Sequence, residues 1–144
     1  MFSKACEYAI KATVYIIDQS LNNQKTSLKE IANTIDSPEA YTSKILQQLS
    51  KENIILSEKG PTGGFSIDKT KAQEIKLSTI VSAIDGDSIY QGCGLGFKQC
   101  SENKPCVIHH KFKAIRDGLK EMLENTLLVN LSKDITDGKS FFKR

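Results

Sequence analysis

The spacing of hydrophobic residues along the first part of the chain predicts two consecutive helices. Apolar residues recur with a helical period over residues 5–21, and they are numerous enough to form a broad buried face. A shorter periodic segment follows and ends near Ile35, and it opens on Ser27 and Glu30. Because these two residues stand three apart, their side chains can cap the first turn reciprocally, which indicates a capping box at the start of the second helix.

A third helix is predicted to begin at Ser37, which is followed by a proline at the first helical position and by an acidic residue that suits the positive helix end. The residues at four-residue spacing are expected to face the core: Tyr41, Ile45 and Leu49. The polar side chains are expected to face outward: Thr42, Ser43, Lys44, Gln47, Gln48 and Lys51. Two short helices joined by a tight turn, the second with a polar outer face, indicate a helix-turn-helix.

A β-hairpin is predicted directly after the third helix. Residues 54–57 and 65–67 have the composition of short strands, and residues 60–64 form a glycine-rich turn between them. A hairpin in this position is typical of the wing of a winged helix-turn-helix protein. The sequence therefore predicts a mainly α fold with one small β-hairpin.

The second half of the chain predicts a short helix, a loop and a long helix. Apolar positions over residues 77–84 indicate the short helix, whereas residues 87–105 lack apolar periodicity. A heptad-like seam then follows, formed by Ile108, Phe112, Ile115, Leu119 and Met122. Because such a seam suits a second copy of the same helix across a two-fold axis, we expect a homodimer through the C-terminal helix.

These elements predict one compact unit with appendages, in keeping with 144 residues of which 39% are hydrophobic. The expected segments are a winged helix-turn-helix DNA-binding domain at 1–86, a cysteine-containing sensor loop at 87–105, a dimerisation helix at 106–136 and a flexible tail at 137–144. No apolar run approaches the about 20 residues needed to cross a bilayer, and the first residues lack the features of a signal peptide. We therefore expect a cytoplasmic protein.

The charge of the chain adds little to this picture. The formal net charge is +3, and within residues 1–75 nine lysines are matched by nine acidic residues. A chain of this charge can still bind DNA if its cations lie on one face. The expectation of DNA binding therefore depends on the geometry of the motif and not on the total charge.

Candidate chemistry is concentrated in the loop, where Cys93, Cys100 and Cys106 fall within fourteen residues. In a reducing compartment such a group indicates a metal or redox site more often than a disulfide framework. Thiolates select soft metals and iron–sulfur clusters, and the closely spaced cysteine pairs of zinc sites are absent. An iron–sulfur cluster is favoured, with oxidant sensing by the thiols and an inert loop as alternatives. Cys6 is expected to be a buried core thiol.

Several motifs together resemble the Rrf2 family of winged-helix regulators, which includes iron–sulfur cluster regulators and nitric-oxide-responsive repressors. The matching motifs are EYAIK at 7–11, KEIA at 29–32, LQQL at 46–49, KGPTGGF at 59–65 and the cysteine loop. The sequence departs from the family in its cysteine spacing. Six residues separate Cys93 from Cys100, whereas cluster-binding relatives commonly have five residues between each pair.

The resemblance implies a DNA-binding transcriptional regulator, with a [2Fe–2S] or [4Fe–4S] cluster completed by a fourth ligand. His109 matches the histidine position of the cluster-assembly regulators, and Glu7 of the partner subunit matches the acidic ligand of the nitric-oxide-responsive repressors. We favour His109 and expect His110 to be a bystander. The motifs of thiol oxidoreductases and of phosphate-binding enzymes are absent, so an enzyme is disfavoured. A cluster-free regulator of the same fold, responding to thiol oxidation, a small molecule or a protein partner, is the alternative.

DNA recognition is expected from the third helix and the wing. Ser43, Lys44 and Gln47 carry donors and acceptors suited to base edges, and Tyr41 suits either the core or a phosphate contact. The expected DNA-contacting residues are Tyr41, Thr42, Ser43, Lys44, Gln47, Lys59, Gly60, Pro61, Thr62, Gly63 and Gly64. In a two-fold dimer these residues would meet a pseudo-palindromic operator whose half-sites lie about 34 Å apart.

Overall fold

The computed structural model describes residues 1–143, and its first helix lies at the centre of the fold. In chain order the elements are α1 (Lys4–Leu21), α2 (Leu28–Ile35), α3 (Glu39–Lys51), β1 (Leu56–Glu58), β2 (Gly64–Ser66), α4 (Lys69–Ala72), α5 (Leu77–Asp85), α6 (Ser88–Gln91), α7 (His109–Asn125) and α8 (Leu128–Thr136). Helix α1 packs against α2, α3, α5 and α8. The expected mainly helical fold with one β-hairpin is confirmed.

The hydrophobic core holds the helix-turn-helix against α1. Ser3 fixes the start of α1, because its hydroxyl accepts a hydrogen bond from the Cys6 backbone N–H at 3.1 Å. The large, fully buried aliphatic side chains of the other helices are Ile31, Ile35, Leu46, Leu49, Ile80, Val81, Leu123 and Leu128. Truncating one such Leu or Ile side chain to Ala typically costs about 2–5 kcal/mol, so the core fixes the orientation of α3.

The helix-turn-helix has the predicted capping box but a different start for α3. The Ser27 hydroxyl accepts from the Glu30 backbone N–H, and the Glu30 carboxylate accepts from the Ser27 backbone N–H. Asp36 makes the turn in the left-handed region with φ 55°. The N-cap of α3 is Pro38, and it makes no side-chain cap hydrogen bond. The expected capping by Ser37 is therefore wrong, because the Ser37 hydroxyl contacts the hydroxyl of Thr42 instead.

The hairpin pairs with a third segment of the chain. Strands β1 and β2 are antiparallel, with Ser57 opposite Phe65. Phe65 also exchanges two backbone hydrogen bonds with Thr26, of 2.8 and 3.1 Å. The strand begins at Leu56, later than the predicted residue 54, because Ile54 and Ile55 are buried in the core. The hairpin thus follows α3 in the chain and is hydrogen-bonded to the segment that precedes α2.

The C-terminal part contains two helices where the sequence predicts one helix over 106–136. Helix α7 ends at Asn125, and the next residues lie beside the segment that precedes α5: the Leu77 N–H donates to the Thr126 carbonyl at 2.8 Å, and the Leu128 N–H donates to the Ile75 carbonyl at 2.9 Å. These long-range hydrogen bonds replace helical ones, and α8 then packs against α1. The expected continuous helix is therefore wrong.

The segment after α8 folds back onto the same chain. The ring of Phe142 meets Tyr15 edge to face with centroids 5.9 Å apart, and the Lys143 ammonium donates to the Asn33 carbonyl at 3.1 Å. Phe142 and Lys143 thus contact the helical core, the expected flexible tail at 137–144 stays a prediction, and Arg144 lies outside the described residues. No helix within 1–143 combines the length and the apolar character needed to cross a membrane.

Candidate DNA-binding face and cysteine pocket

Helix α3 exposes three of the residues expected to read bases. Ile45, Leu46 and Leu49 are buried on one side of α3. On the other side Lys44 and Gln47 are exposed and Ser43 is half-buried. Because the core holds the buried side of α3 in place, these polar groups lie on the outer face of a helix that can enter a major groove.

Two residues of α3 lie elsewhere than expected. Thr42 is fully buried, and its hydroxyl donates to the Pro38 carbonyl at 2.9 Å while contacting the Ser37 hydroxyl. Its expected outward position is wrong, and a buried Thr42 cannot contact DNA. Tyr41 was expected among the core residues but is 38% exposed, with its ring edge-to-face to Tyr8 at 5.7 Å. Tyr41 was expected either in the core or at a phosphate contact, and it lies at the surface beside α1.

Replacing Thr42 with valine is expected to lower stability by about 1 kcal/mol, because a buried hydroxyl with two oxygen neighbours is lost while the side-chain volume is kept. Urea unfolding measures this cost. The DNA affinity of the folded protein should stay unchanged. Ser43→Ala is the matched control: its stability should stay unchanged, whereas its DNA affinity should fall. A Thr42→Val protein of normal stability and weakened DNA binding would contradict the internal role of Thr42.

The wing presents backbone rather than bulky side chains. Lys59, Gly60, Pro61 and Thr62 are exposed, and the Gly63 N–H closes the turn by donating to the Gly60 carbonyl at 3.0 Å. A Cβ atom at Gly63 would lie 2.3 Å from the Glu58 carbonyl oxygen, so this position requires glycine. A turn of this kind allows its backbone to approach a sugar-phosphate chain closely.

The loop cysteines and His109 line one pocket of about 270 Å³. Cys106 lies at the start of α7, where its carbonyl accepts from the His109 N–H at 3.0 Å. His109 is 4% exposed, and its Nδ1 lies 3.3 Å from the Cys100 sulfur. Its Nε2 is buried without a hydrogen-bond partner within residues 1–143. The structure therefore brings together Cys93, Cys100, Cys106 and His109, as the sequence suggested, and leaves one imidazole nitrogen unsatisfied.

The surroundings of the pocket favour negative charge on sulfur. The backbone N–H groups of Leu95 and Phe97 lower the pKa of the Cys93 thiol, and the Cys106 thiol adds to this effect. The Cys100 sulfur raises the pKa of Arg116, whose Nη1 also donates to the Gly92 carbonyl at 3.2 Å. Sequence reasoning missed Arg116. Its position seven residues after His109, two turns along the same helix face, is the signal that could have revealed it.

The remaining candidates lie outside the pocket of a single chain. Glu7 is on α1, where it pairs with Lys4 at 3.0 Å. Cys6 is fully buried as expected, and desolvation, followed by the effect of Asp85, raises the pKa of its thiol to about 12. Within residues 1–143, no three His, Cys, Asp or Glu side chains converge closely enough to hold a single metal ion. Among the pocket residues, the Cys100 sulfur contacts the His109 Nδ1 at 3.3 Å.

Comparison with known proteins places the chain in a family. The family model described as "Rrf2: Iron-dependent Transcriptional regulator" matches residues 2–134. An HTH-type transcriptional regulator of Aquifex aeolicus is 30% identical over 91% of this chain and 90% of its own length. IscR of Pectobacterium carotovorum is 26% identical over 90% of this chain and 79% of its own length.

A solved structure has the same fold. CymR, the global cysteine regulator of B. subtilis, superimposes with a TM-score of 0.75 at 22% identity, covering 92% of this chain and 96% of CymR. At this identity the likeness concerns the winged-helix fold alone. Together with the family match over residues 2–134, it leads to one conclusion: the chain belongs to the Rrf2 family of transcriptional regulators.

Proposed function

We propose that this Rrf2-type regulator binds DNA as a homodimer and senses iron–sulfur, redox or nitric oxide status through a cluster held by Cys93, Cys100, Cys106 and His109. The observation that carries the proposal is the His109 side chain, which lines the pocket with three thiols and whose Nε2 is buried without a hydrogen-bond partner among residues 1–143. An unsatisfied buried nitrogen is costly. A metal centre in the pocket would provide the missing interaction.

The donor set fits an iron–sulfur cluster. Thiolate sulfur and imidazole nitrogen are ligands of such clusters, and histidine in place of cysteine suits a two-iron form. Four donor residues around one pocket support two iron atoms with two protein ligands each. When bound, the cluster would supply one-electron redox chemistry and an iron that reacts with small molecules. The chain would supply the thiolates, the imidazole and the surrounding hydrogen bonds that tune them.

The DNA contacts proposed for this regulator come from α3 and the wing. Ser43, Lys44 and Gln47 would read base edges, and Tyr41, Lys59 and the backbone of residues 60–64 would approach the sugar-phosphate chain. Charged and amide side chains on a fixed helix face support this assignment. The protein would act where the chromosome lies, in the cytoplasm of a bacterial cell.

Helix α7 supports association with a second copy. Ile115 is 70% exposed and Met122 is 44% exposed, although both belong to the apolar seam that the sequence predicts. Exposed apolar side chains in one stripe are stabilised when an identical stripe covers them. A two-fold dimer would place two recognition helices on one face of the DNA, about one helical turn apart.

Hydrogen bonds around the end of α5 support a route from the pocket to the recognition helix. Gln48 on α3 donates to the Ala83 carbonyl at 2.8 Å, and the neighbouring Ser82 hydroxyl lies 2.9 Å from the hydroxyl of Tyr90, in the segment that leads to the cysteines. A change in the loop can thus reach α3 through one helix end. A coupling free energy of about 1–3 kcal/mol between the two sites would be enough to change promoter occupancy.

The decisive experiment is anaerobic purification followed by assays of iron, acid-labile sulfide and visible absorbance. The proposal expects a coloured protein with iron and sulfide in about equal amounts. DNA binding is then compared before and after the cluster is removed, at one salt concentration. A colourless protein without iron that still binds DNA specifically would contradict the proposed cluster. The proposed role as a DNA-binding regulator would remain.

The fourth ligand is tested by single substitutions. His109→Ala is expected to release most of the iron, because it removes the imidazole, whereas His109→Cys should retain iron through a thiolate. His110→Ala is the matched control, since His110 is exposed beside His109. Iron content after gel filtration is the measurement. Iron loss in Glu7→Gln, with retention in His109→Ala, would instead assign the fourth ligand to Glu7 of the partner subunit.

A second candidate function is thiol sensing without a metal. It is favoured by the lowered pKa of Cys93 next to Cys106, because a thiolate beside a thiol is suited to form a disulfide. Two thiols would lose two protons and two electrons to an oxidant such as a hydroperoxide. The anaerobic assay distinguishes the two functions, since thiol sensing requires neither iron nor sulfide.

A further inference from the structure

The wing is contacted by a lysine that lies outside the hairpin. Lys25 lies between α1 and α2, and its ammonium forms an ion pair with the Glu58 carboxylate at the end of β1. The same ammonium lies 3.4 Å from the carbonyl oxygen of Thr62, at the tip of the wing turn. One cation therefore contacts both the end of β1 and the tip of the wing turn.

The backbone brings Lys25 close to the wing. The next residue, Thr26, exchanges two hydrogen bonds with Phe65 on β2. Gly64 adopts φ 136°, and a Cβ atom there would lie 3.0 Å from the Thr26 carbonyl oxygen and 3.3 Å from the Lys25 Cβ. Glycine at this position thus permits the close approach, and the pairing fixes where the Lys25 side chain starts.

The position of Glu58 gives the ion pair a consequence for DNA binding. Glu58 directly precedes Lys59, the cation expected to meet a phosphate, and its side chain is 54% exposed. An unpaired carboxylate this close to the contact would repel the phosphates. Both members of the pair are about half exposed, so the pair adds little to the stability of the fold. Its effect is expected on the wing and its surface charge.

We propose that Lys25 is a positioning residue of the wing: its ammonium neutralises Glu58 and holds the turn at Thr62, so that Lys59 and the wing backbone can meet the DNA backbone. Lys25 acts through the wing and does not itself contact a phosphate. This inference rests on the proposed role of the wing in DNA binding, and it is independent of the cysteine pocket.

The test uses a duplex that the wild-type full-length protein enriches from a randomised pool, with affinity measured at several salt concentrations. Lys25→Met is expected to weaken binding about three- to tenfold at low salt, because it exposes the Glu58 charge. Lys25→Met combined with Glu58→Gln should restore affinity to near the wild-type value. Lys25→Arg, which keeps the charge, should behave like the wild type.

Two controls separate positioning from other roles. Lys69→Met removes the same charge at an exposed position on α4 and should leave affinity unchanged. The thermal midpoint of Lys25→Met should stay near that of the wild type, so a folding defect would be recognised. Hydroxyl-radical footprints should lose protection where the wing contacts DNA and keep it at the centre of each half-site.

Three results would overturn the inference. If Lys25→Met and the double variant lose DNA affinity equally, and the slope of log affinity against log salt concentration falls by about 0.9, Lys25 contacts a phosphate directly. Unchanged affinity of Lys25→Met would remove any role for the pair. A footprint that changes only at the base-reading helix would separate Lys25 from the wing. If the wild-type protein enriches no duplex at all, the proposed DNA-binding function fails first, and that outcome is distinct from these three.

Discussion

A variant in which Cys93, Cys100 and Cys106 are all serine is expected to contain almost no iron or sulfide after anaerobic purification. Serine hydroxyls are hard, neutral donors, whereas the cluster requires soft thiolates. The three side chains lie in a loop beyond the hydrophobic core, so the circular dichroism spectrum should be unchanged and the variant should elute from gel filtration at the position of the wild type. DNA binding by this variant should no longer differ between anaerobic and oxidised samples.

Cys6→Ser is the control for the triple variant. Cys6 is fully buried and lies on α1, so this substitution should affect stability and leave iron content per folded protein unchanged. Iron retained by the triple variant would contradict ligation by the loop. Iron lost equally from Cys6→Ser would show that the assay reports folding and not ligation.

The second large effect is expected at the recognition helix. Lys44→Ala and Gln47→Ala should each weaken binding to the selected duplex by about 5- to 150-fold, because a good base contact discriminates by about 1–3 kcal/mol. Binding to a random duplex should fall much less, since it depends on phosphate contacts. Mobility shifts at one fixed salt concentration measure both affinities.

Lys51→Ala provides the matched control for Lys44→Ala. Lys51 is also exposed, but it lies at the last position of α3, away from the end that carries Ser43 and Lys44. Its loss should weaken the selected and random duplexes to a similar, small extent. If Lys44→Ala loses affinity equally for both duplexes, Lys44 contacts only a phosphate, and neighbouring residues must read the bases.

Local rules explain which parts of the fold were predictable. The capping box of Ser27 and Glu30 and the helical period of α1 depend on residues close in sequence, and both are observed. The end of α7 depends on a backbone hydrogen bond between Thr126 and Leu77, which lie far apart in the chain. The helical spacing of apolar residues does not predict this hydrogen bond. Thr42 was misplaced for a related reason: its polarity suggested the surface, whereas local hydrogen bonds satisfy its hydroxyl inside.

The candidate site was predictable from residue chemistry and only partly from spacing. Cysteine grouping and the position of His109 after Cys106 indicated the pocket. The predicted helix start at residue 106 precedes the observed start at His109. The contribution of Arg116 depends on how α7 packs against the loop, and the link between Lys25 and Glu58 joins residues 33 positions apart. Both contacts form only when the chain has folded: helical spacing from His109 points to Arg116, whereas no local pattern points to the pairing of Lys25 with Glu58.

Burial of Cys6 has a consequence for what oxidation does to this protein. With its sulfur shielded from solvent and its proton firmly held, Cys6 cannot take part in thiol exchange. The accessible thiols are then three, and an odd number leaves one unpaired after any internal bridge has formed. In the cluster-free protein that leftover sulfur would be free to form a disulfide with a small-molecule thiol or with the equivalent atom of another protomer.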